Sequence, residues 1–178
     1  MLNPIYIAIA AVTIDGKIAK GPNHMSDWTS KEDKLFMRAL LGKCDVVIVG
    51  NNTYKTAIKP LSKRKCIVFS KSINLPIRKS ANLLYVNPAE INFKFFIKNL
   101  GYKRIAILGG AQTYSYFLEN NLLDEIYLTI EPLAFGGGVS LFANKKLGDF
   151  KYKLVALKKL NKEGGVLLHY KKAVAKKI

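Results

Sequence analysis

Short apolar runs recur along the first two thirds of the chain, each bounded by polar or glycine-rich residues. They fall at 5–12 (IYIAIAAV), 45–50 (DVVIVG), 65–70 (KCIVFS), 82–86 (NLLYV), 104–110 (RIAILGG) and 125–133 (EIYLTIEPL). Unbroken apolar runs of this length predict buried strands. Amphipathic segments at 30–42, 52–58, 89–99 and 111–121 lie between them and predict short helices. Two last runs, 152–160 and 165–173, flank NKEGG, a hairpin-like turn. Alternating strands and helices closed by a hairpin predict one α/β domain over residues 1–178, with a largely parallel sheet and an antiparallel edge.

Two strand ends open directly onto helices. VIVGNNTYKT leaves its strand at Gly50, and AILGGAQTYSYF leaves its strand at Gly109-Gly110. In an open parallel sheet both junctions stand on the carboxyl edge, where ligands bind. Free N–H groups at a helix start attract phosphate, and glycine lets a ligand approach the backbone. Two such junctions suit a dinucleotide, although neither is GxGxxG or a P-loop. A third cluster, FGGGV at 135–139, is another backbone approach point or a flexible loop, and reads more readily as the loop.

The formal charge of +17, from 29 basic and 12 acidic residues, favours anionic partners. The lysines are spread along the chain, and the densest group, KKAVAKKI at the C-terminus, has no interleaved aromatics. Solubility accounts for much of this charge, steering of anionic ligands for the rest, and nucleic acid is the least expected of those ligands. Cys44 and Cys66 form no CxxC and have no histidine neighbours, so neither a metal site nor a disulfide framework is predicted. No apolar run reaches membrane-spanning length, and the N-terminus lacks the pattern of a leader. A cytoplasmic protein is expected, as a monomer or homodimer.

The segment SDWTSKEDKLFMRAL (26–40) carries the candidate chemistry. Ser30 is a good N-cap, and Asp33 or Glu32 stands where a capping-box acid would reach back. Yet Asp33 shares a stripe with Phe36, Met37 and Leu40, while Lys31, Lys34 and Arg38 occupy the other. With Glu32 free to cap, Asp33 is surplus. Partly desolvated and without a cation on its face, it would bind its proton more tightly and suit a ligand with paired N–H donors.

Trp28 five residues before Asp33, then VIVGNNTY, PLSKRKCIVFS, ILGGAQTY and LDEIYLTI, resemble dihydrofolate reductase in order and spacing. The resemblance runs from about Ile5 to Phe142. It implies a mixed, mainly parallel eight-stranded sheet with flanking helices. TIDGKIA (13–19) and IEPLAFGGGVSLF (130–142) look closer to the related reductase domain of riboflavin biosynthesis. The segment after Gly50, with its Thr-Tyr, Pro-Leu and Arg-Lys-x-Ile-Val, is similar to dihydrofolate reductase.

By this resemblance Asp33 grips the pterin N3 and 2-amino pair and promotes N5 protonation, with Thr129 hydrogen-bonded to its carboxylate. Trp28 stands at the lip of the pocket. Ile9, Phe36, Met37, Ala57 and Leu61 line the pterin and benzoyl groups, and Arg64 holds a glutamate carboxylate. NADPH is the implied cofactor. Its carboxamide meets the backbone at Ala11 and Ala19, with Ile18 between them. Its nicotinamide lies on the Gly109-Gly110 turn, a cis peptide in this family, before the Tyr114 hydroxyl. Gly50, Asn51, Asn52 and Thr53 form one wall of the dinucleotide groove, and Leu108, Ala111, Gln112 and Thr113 the other. Ser70 and Lys71 follow the next strand. Asn51 departs from the family, where arginine often holds the 2′-phosphate; Lys71 and Lys55 are the substitutes at hand. Residues 20–28 form the loop over the nicotinamide, and Asp27 replaces a frequent proline, which either alters the loop or places a second acid at the pocket mouth. His24 and His169 receive no chemistry.

Three functions follow: NADPH-dependent reduction of 7,8-dihydrofolate, reduction of a ribosylaminopyrimidinone 5′-phosphate in riboflavin biosynthesis, or basic nucleic-acid binding without catalysis. The first is the main expectation.

Overall fold

The computed structural model describes residues 3–22, 24, 26–143 and 148–173. Residues 174–178, most of the C-terminal basic cluster, lie outside them. The central strand β1 (Ile5–Thr13) pairs in parallel with β8 (Glu125–Glu131) on one side and β7 (Arg104–Ile107) on the other. β3 (Val46–Gly50), β4 (Cys66–Phe69) and β6 (Leu83–Val86) extend the parallel array beyond β7. Antiparallel strands close both edges: β5 (Ile77–Ser80) beside β6, and the hairpin β10 (Tyr152–Lys159) and β11 (Val166–Lys172) beside β8. The sheet therefore has nine strands, in the order β10-β11-β8-β1-β7-β3-β4-β6-β5, not the eight expected. The extra one is β5, which is exposed at every residue and so carries no apolar signal. A separate two-stranded ribbon joins β2 (Lys17–Ala19) to β9 (Val139–Ser140).

Strand alternation divides the interior into two cores. Tyr6, Ala8 and Ala10 of β1 face one core, shared with α4 (Phe93–Asn99) and α5 (Ala111–Glu119). Ile7 and Ile9 face the other, built with α1 (Lys31–Leu41), α2 (Asn51–Thr56) and α3 (Ile58–Leu61). In the first core Phe69 stacks on Phe117 at 5.7 Å, and Phe93 meets both edge-on. Each such ring contributes about 1.5–3 kcal/mol by burial, and together they fix α5 against the end of β4. The helix expected over 52–58 is broken at Ala57 into α2 and α3. That expected over 89–99 starts at Phe93, where Asn92 caps it by accepting from Phe95 N–H at 3.2 Å. No helix among the described residues is long and apolar enough to cross a membrane.

Candidate active site

The carboxyl ends of β1, β3, β4 and β7 open into one cleft of about 2010 Å³. Every residue singled out for substrate or cofactor lines it, except Phe36, Thr129 and Lys55. Phe36 packs on Tyr127 of β8, ring centroids 5.6 Å apart, so it braces α1 against the sheet instead of forming a wall. Thr129 is 1% exposed and stands behind Asp33.

Asp33 lies in the first turn of α1 and is 7% exposed. Ser30 is the N-cap, its hydroxyl accepting from Asp33 N–H at 3.2 Å. The acid that completes the cap is neither Glu32 nor Asp33. It is Glu131, at the end of β8, which accepts from both Ser30 N–H and Ser30 Oγ–H at 2.7 Å. Glu32 is exposed. Sequence could not show this pairing, because the partners stand 101 residues apart. The Asp33 side chain is thus released from capping and faces the hydroxyls of Thr129 and Thr29, the latter also directed at the Ser26 carbonyl at 3.3 Å. Burial pushes its carboxyl above the ordinary carboxylate value. Those two hydroxyls oppose the rise, the Glu131 charge adds to it, and Lys34 offsets it slightly.

Lys34 and Arg38 correct the simple two-stripe picture of α1, because both line the cleft. Lys59, Lys63 and Arg64 line it as well, from α3 and the residues after it. Scattered in sequence, these cations gain a common location only through the fold. Lys71 borders the cleft and Lys55 does not. Asp27 is exposed and does not line it; its backbone carbonyl accepts from Lys34 Nζ at 3.1 Å.

The Gly109-Gly110 peptide is cis, and Gly109 has φ +97°. Gly110 is the N-cap of α5 with no side-chain cap. Gly50 packs beneath it, where an added Cβ would sit 2.9 Å from Thr113 Oγ1. Tyr114 is fully enclosed and donates to the Ile9 carbonyl at 2.7 Å. Burial, with the Asp33 charge nearby, drives this phenol well above its ordinary value, so it serves as a neutral donor. On the opposite lip, Trp28 belongs to a 3-10 turn (Ser26–Trp28), and its indole N–H is buried without a protein partner among the described residues. A buried donor left unmatched in a residue that lines the cleft is a candidate contact for a ligand acceptor.

FGGGV is not the free loop expected from its composition. Asp15 accepts from Thr13 Oγ–H and from the N–H groups of Phe135 (3.2 Å) and Gly136 (3.0 Å). These bonds hold Asp15 below the usual carboxylate range, the Thr13 hydroxyl most of all. Phe135 meets Trp28 edge-on at 5.1 Å and lies under Lys20 Nζ at 5.3 Å. At Gly138 (φ +126°) a Cβ would collide with the Ala19 carbonyl oxygen. Residues 134–139 thereby support the two ends of the loop 20–28, at Lys20 and Trp28. His24, in that loop, accepts from Lys20 N–H at 3.3 Å through Nδ1.

A mainly parallel sheet with a buried acid and two glycine-ended strands at one edge defines a reductase-type nucleotide cleft. The comparisons agree. The sequence model of dihydrofolate reductase matches residues 5–163, and the chain belongs to that family. An uncharacterized protein of Bacillus subtilis, YwjB, is 28% identical over 92% of this chain and 95% of its own. The 2,5-diamino-6-ribosylamino-4(3H)-pyrimidinone 5′-phosphate reductase of Methanothermobacter thermautotrophicus is 22% identical, covering 76% of this chain and 81% of its own. A pyrimidine reductase-like protein from Corynebacterium diphtheriae shares the fold, with a TM-score of 0.74, 18% identity and coverage of 96% and 92%.

Proposed function

We propose that this chain is an NADPH-dependent reductase of a substrate carrying a 2-amino-4-oxopyrimidine ring. A ribosylaminopyrimidinone 5′-phosphate fits it better than 7,8-dihydrofolate, which reverses the order expected from sequence. One observation carries that choice: the buried Asp33 and the cations Lys34, Arg38, Lys59, Lys63 and Arg64 line a single cleft. Both substrates present N3–H beside a 2-amino group, a fork that one carboxylate accepts with two charge-assisted bonds. Only the pyrimidinone adds a phosphate, which several cations neutralise better than a lone arginine would. The likeness to pyrimidine reductase-like proteins supports the same choice.

In this reading Thr129 and Thr29 hold the Asp33 carboxylate towards the ring, and the α1 and α3 cations anchor the phosphate end. Held at both ends, the substrate presents C1′ of its opened ribosylamine, whose C=N bond becomes CH–NH on taking up hydride and a proton. NADPH, when bound, supplies the hydride. The residues fit such a dinucleotide. Ala11, Ile18 and Ala19 would meet its carboxamide, while Gly50 to Thr53 and Gly109 to Thr113 would flank its phosphates. Ser70 and Lys71 would meet the adenosine end. Trp28, whose indole N–H is orphaned, lines the same cleft.

Dihydrofolate remains the second reading, favoured by one specific feature. A buried carboxyl of raised proton affinity, backed by Thr129, suits a ring whose N5 must be protonated before hydride arrives. NADPH consumption measured with each substrate separately decides between them. The pyrimidinone should turn over faster; turnover of dihydrofolate alone would overturn the first reading.

A further inference from the structure

Glu131 is a buried carboxylate, 3% exposed, at the carboxyl end of β8. Among the described residues no cation forms an ion pair with it; the ion pairs found all belong to Glu125. An enclosed acid without a counter-charge is costly to keep, and its bonds show what it secures. Ser30 N–H and Ser30 Oγ–H both donate to one of its oxygens at 2.7 Å. With its own hydrogen committed to Glu131, the Ser30 hydroxyl turns a lone pair towards Asp33 N–H. Two residues earlier on the same face of β8, Thr129 hydrogen-bonds the Asp33 carboxylate. One strand therefore holds Asp33 twice, by its side chain through Thr129 and by its backbone through Glu131 and Ser30.

We propose that Glu131 is a positioning residue: through Ser30 it fixes the first turn of α1, so that the Asp33 carboxylate faces the substrate ring. The proposal rests on the reading of Asp33 as the group that grips the ring. The charged and titratable groups facing Asp33 are Glu131 from β8, Lys34 from its own helix and Tyr114 from α5. Tyr114 is neutral throughout the working range. Lys34 favours the ionised acid and Glu131 opposes it.

Two readouts need no substrate. The carboxyl-carbon NMR titration of Asp33 should move to lower pH in Glu131→Gln, which keeps the acceptor but loses the charge. The Asp33 amide should exchange with solvent faster in Glu131→Ala and Ser30→Ala than in the parent. An Asp33 titration and amide exchange both unchanged across these variants would overturn the proposal. With substrate, Glu131→Ala should lose roughly 10- to 100-fold in kcat/KM, while Glu131→Gln retains most of it and shifts the acid limb of the pH profile downward. NADPH affinity should be unaltered in both. If Glu131→Ala does not fold, Glu131→Gln and Ser30→Ala carry the test. A fully active Asp33→Asn would refute the role given to Asp33 and leave the two substrate-free readouts to judge Glu131.

Discussion

A side chain on Gly109 would run into Tyr114. Its Cβ would lie 2.8 Å from the Tyr114 ring, which is itself tied by its hydroxyl to Ile9 in the central strand. The turn at the end of β7 and the backbone at the middle of β1 are thus held in one arrangement by a single aromatic residue. Gly109→Ala combines this overlap with a positive φ that alanine resists, and should cost about 2–4 kcal/mol. Denaturant unfolding measures the loss, and NADPH binding should weaken in parallel. Parental stability would mean that the Tyr114 ring moves aside easily.

Asp33→Asn keeps the shape of the site and removes its charge. Turnover should fall by roughly 100-fold or more while NADPH still binds. Stability should move the other way. Burial raises the Asp33 carboxyl above 3.8, so the folded chain holds this proton more tightly than the unfolded chain. That contribution is complete below about pH 3.8 and is lost as pH climbs through the folded value. Asp33→Asn should accordingly melt higher than the parent at neutral pH, with the gain shrinking as pH falls towards 3.8. A lower melting point at neutral pH would show that the ionised acid is better compensated than its two threonine partners imply.

Removing the phosphate wall should separate binding from chemistry. Arg38→Ala and Arg64→Ala should each raise KM for the phosphorylated pyrimidinone by roughly tenfold, with kcat little changed. The dephosphorylated substrate should be indifferent to both. Equal losses on the two substrates would place the arginines outside the phosphate site.

Lys71 follows β4 and borders the cleft, while Asn51 cannot supply a charge. Lys71→Ala should weaken NADPH by roughly tenfold and leave NADH nearly untouched. Cofactor titrations monitored by fluorescence would show it, and parallel weakening of both cofactors would remove Lys71 from the 2′-phosphate.

The parallel strands were legible because each is an apolar run bounded by polar residues, and Gly50 and Gly109-Gly110 marked the edge where the cleft opens. β5 was hidden by its exposure and β2 by its shortness. The FGGGV segment misled because glycine composition suggests freedom, whereas Asp15 and the close approach of Ala19 take that freedom away. Asp33 stood out by its place on a helical face. Glu131 did not: a strand-end glutamate has no local peculiarity, and only the pairing of β8 beside α1 gives it a role. Lys34, Arg38, Lys59 and Lys63 were equally silent, since charge at separate points of a chain says nothing about where the fold gathers it.

β1 gives its even residues, Tyr6, Ala8 and Ala10, to one core and its odd residues, Ile7 and Ile9, to the other. A single residue inserted in this strand would swap the two sets and carry every position beyond it onto the wrong side of the sheet. Adaptation to a new substrate is therefore confined to the rim, where loops change length without cost to register, and the length of this one strand is the dimension the protein is least free to vary.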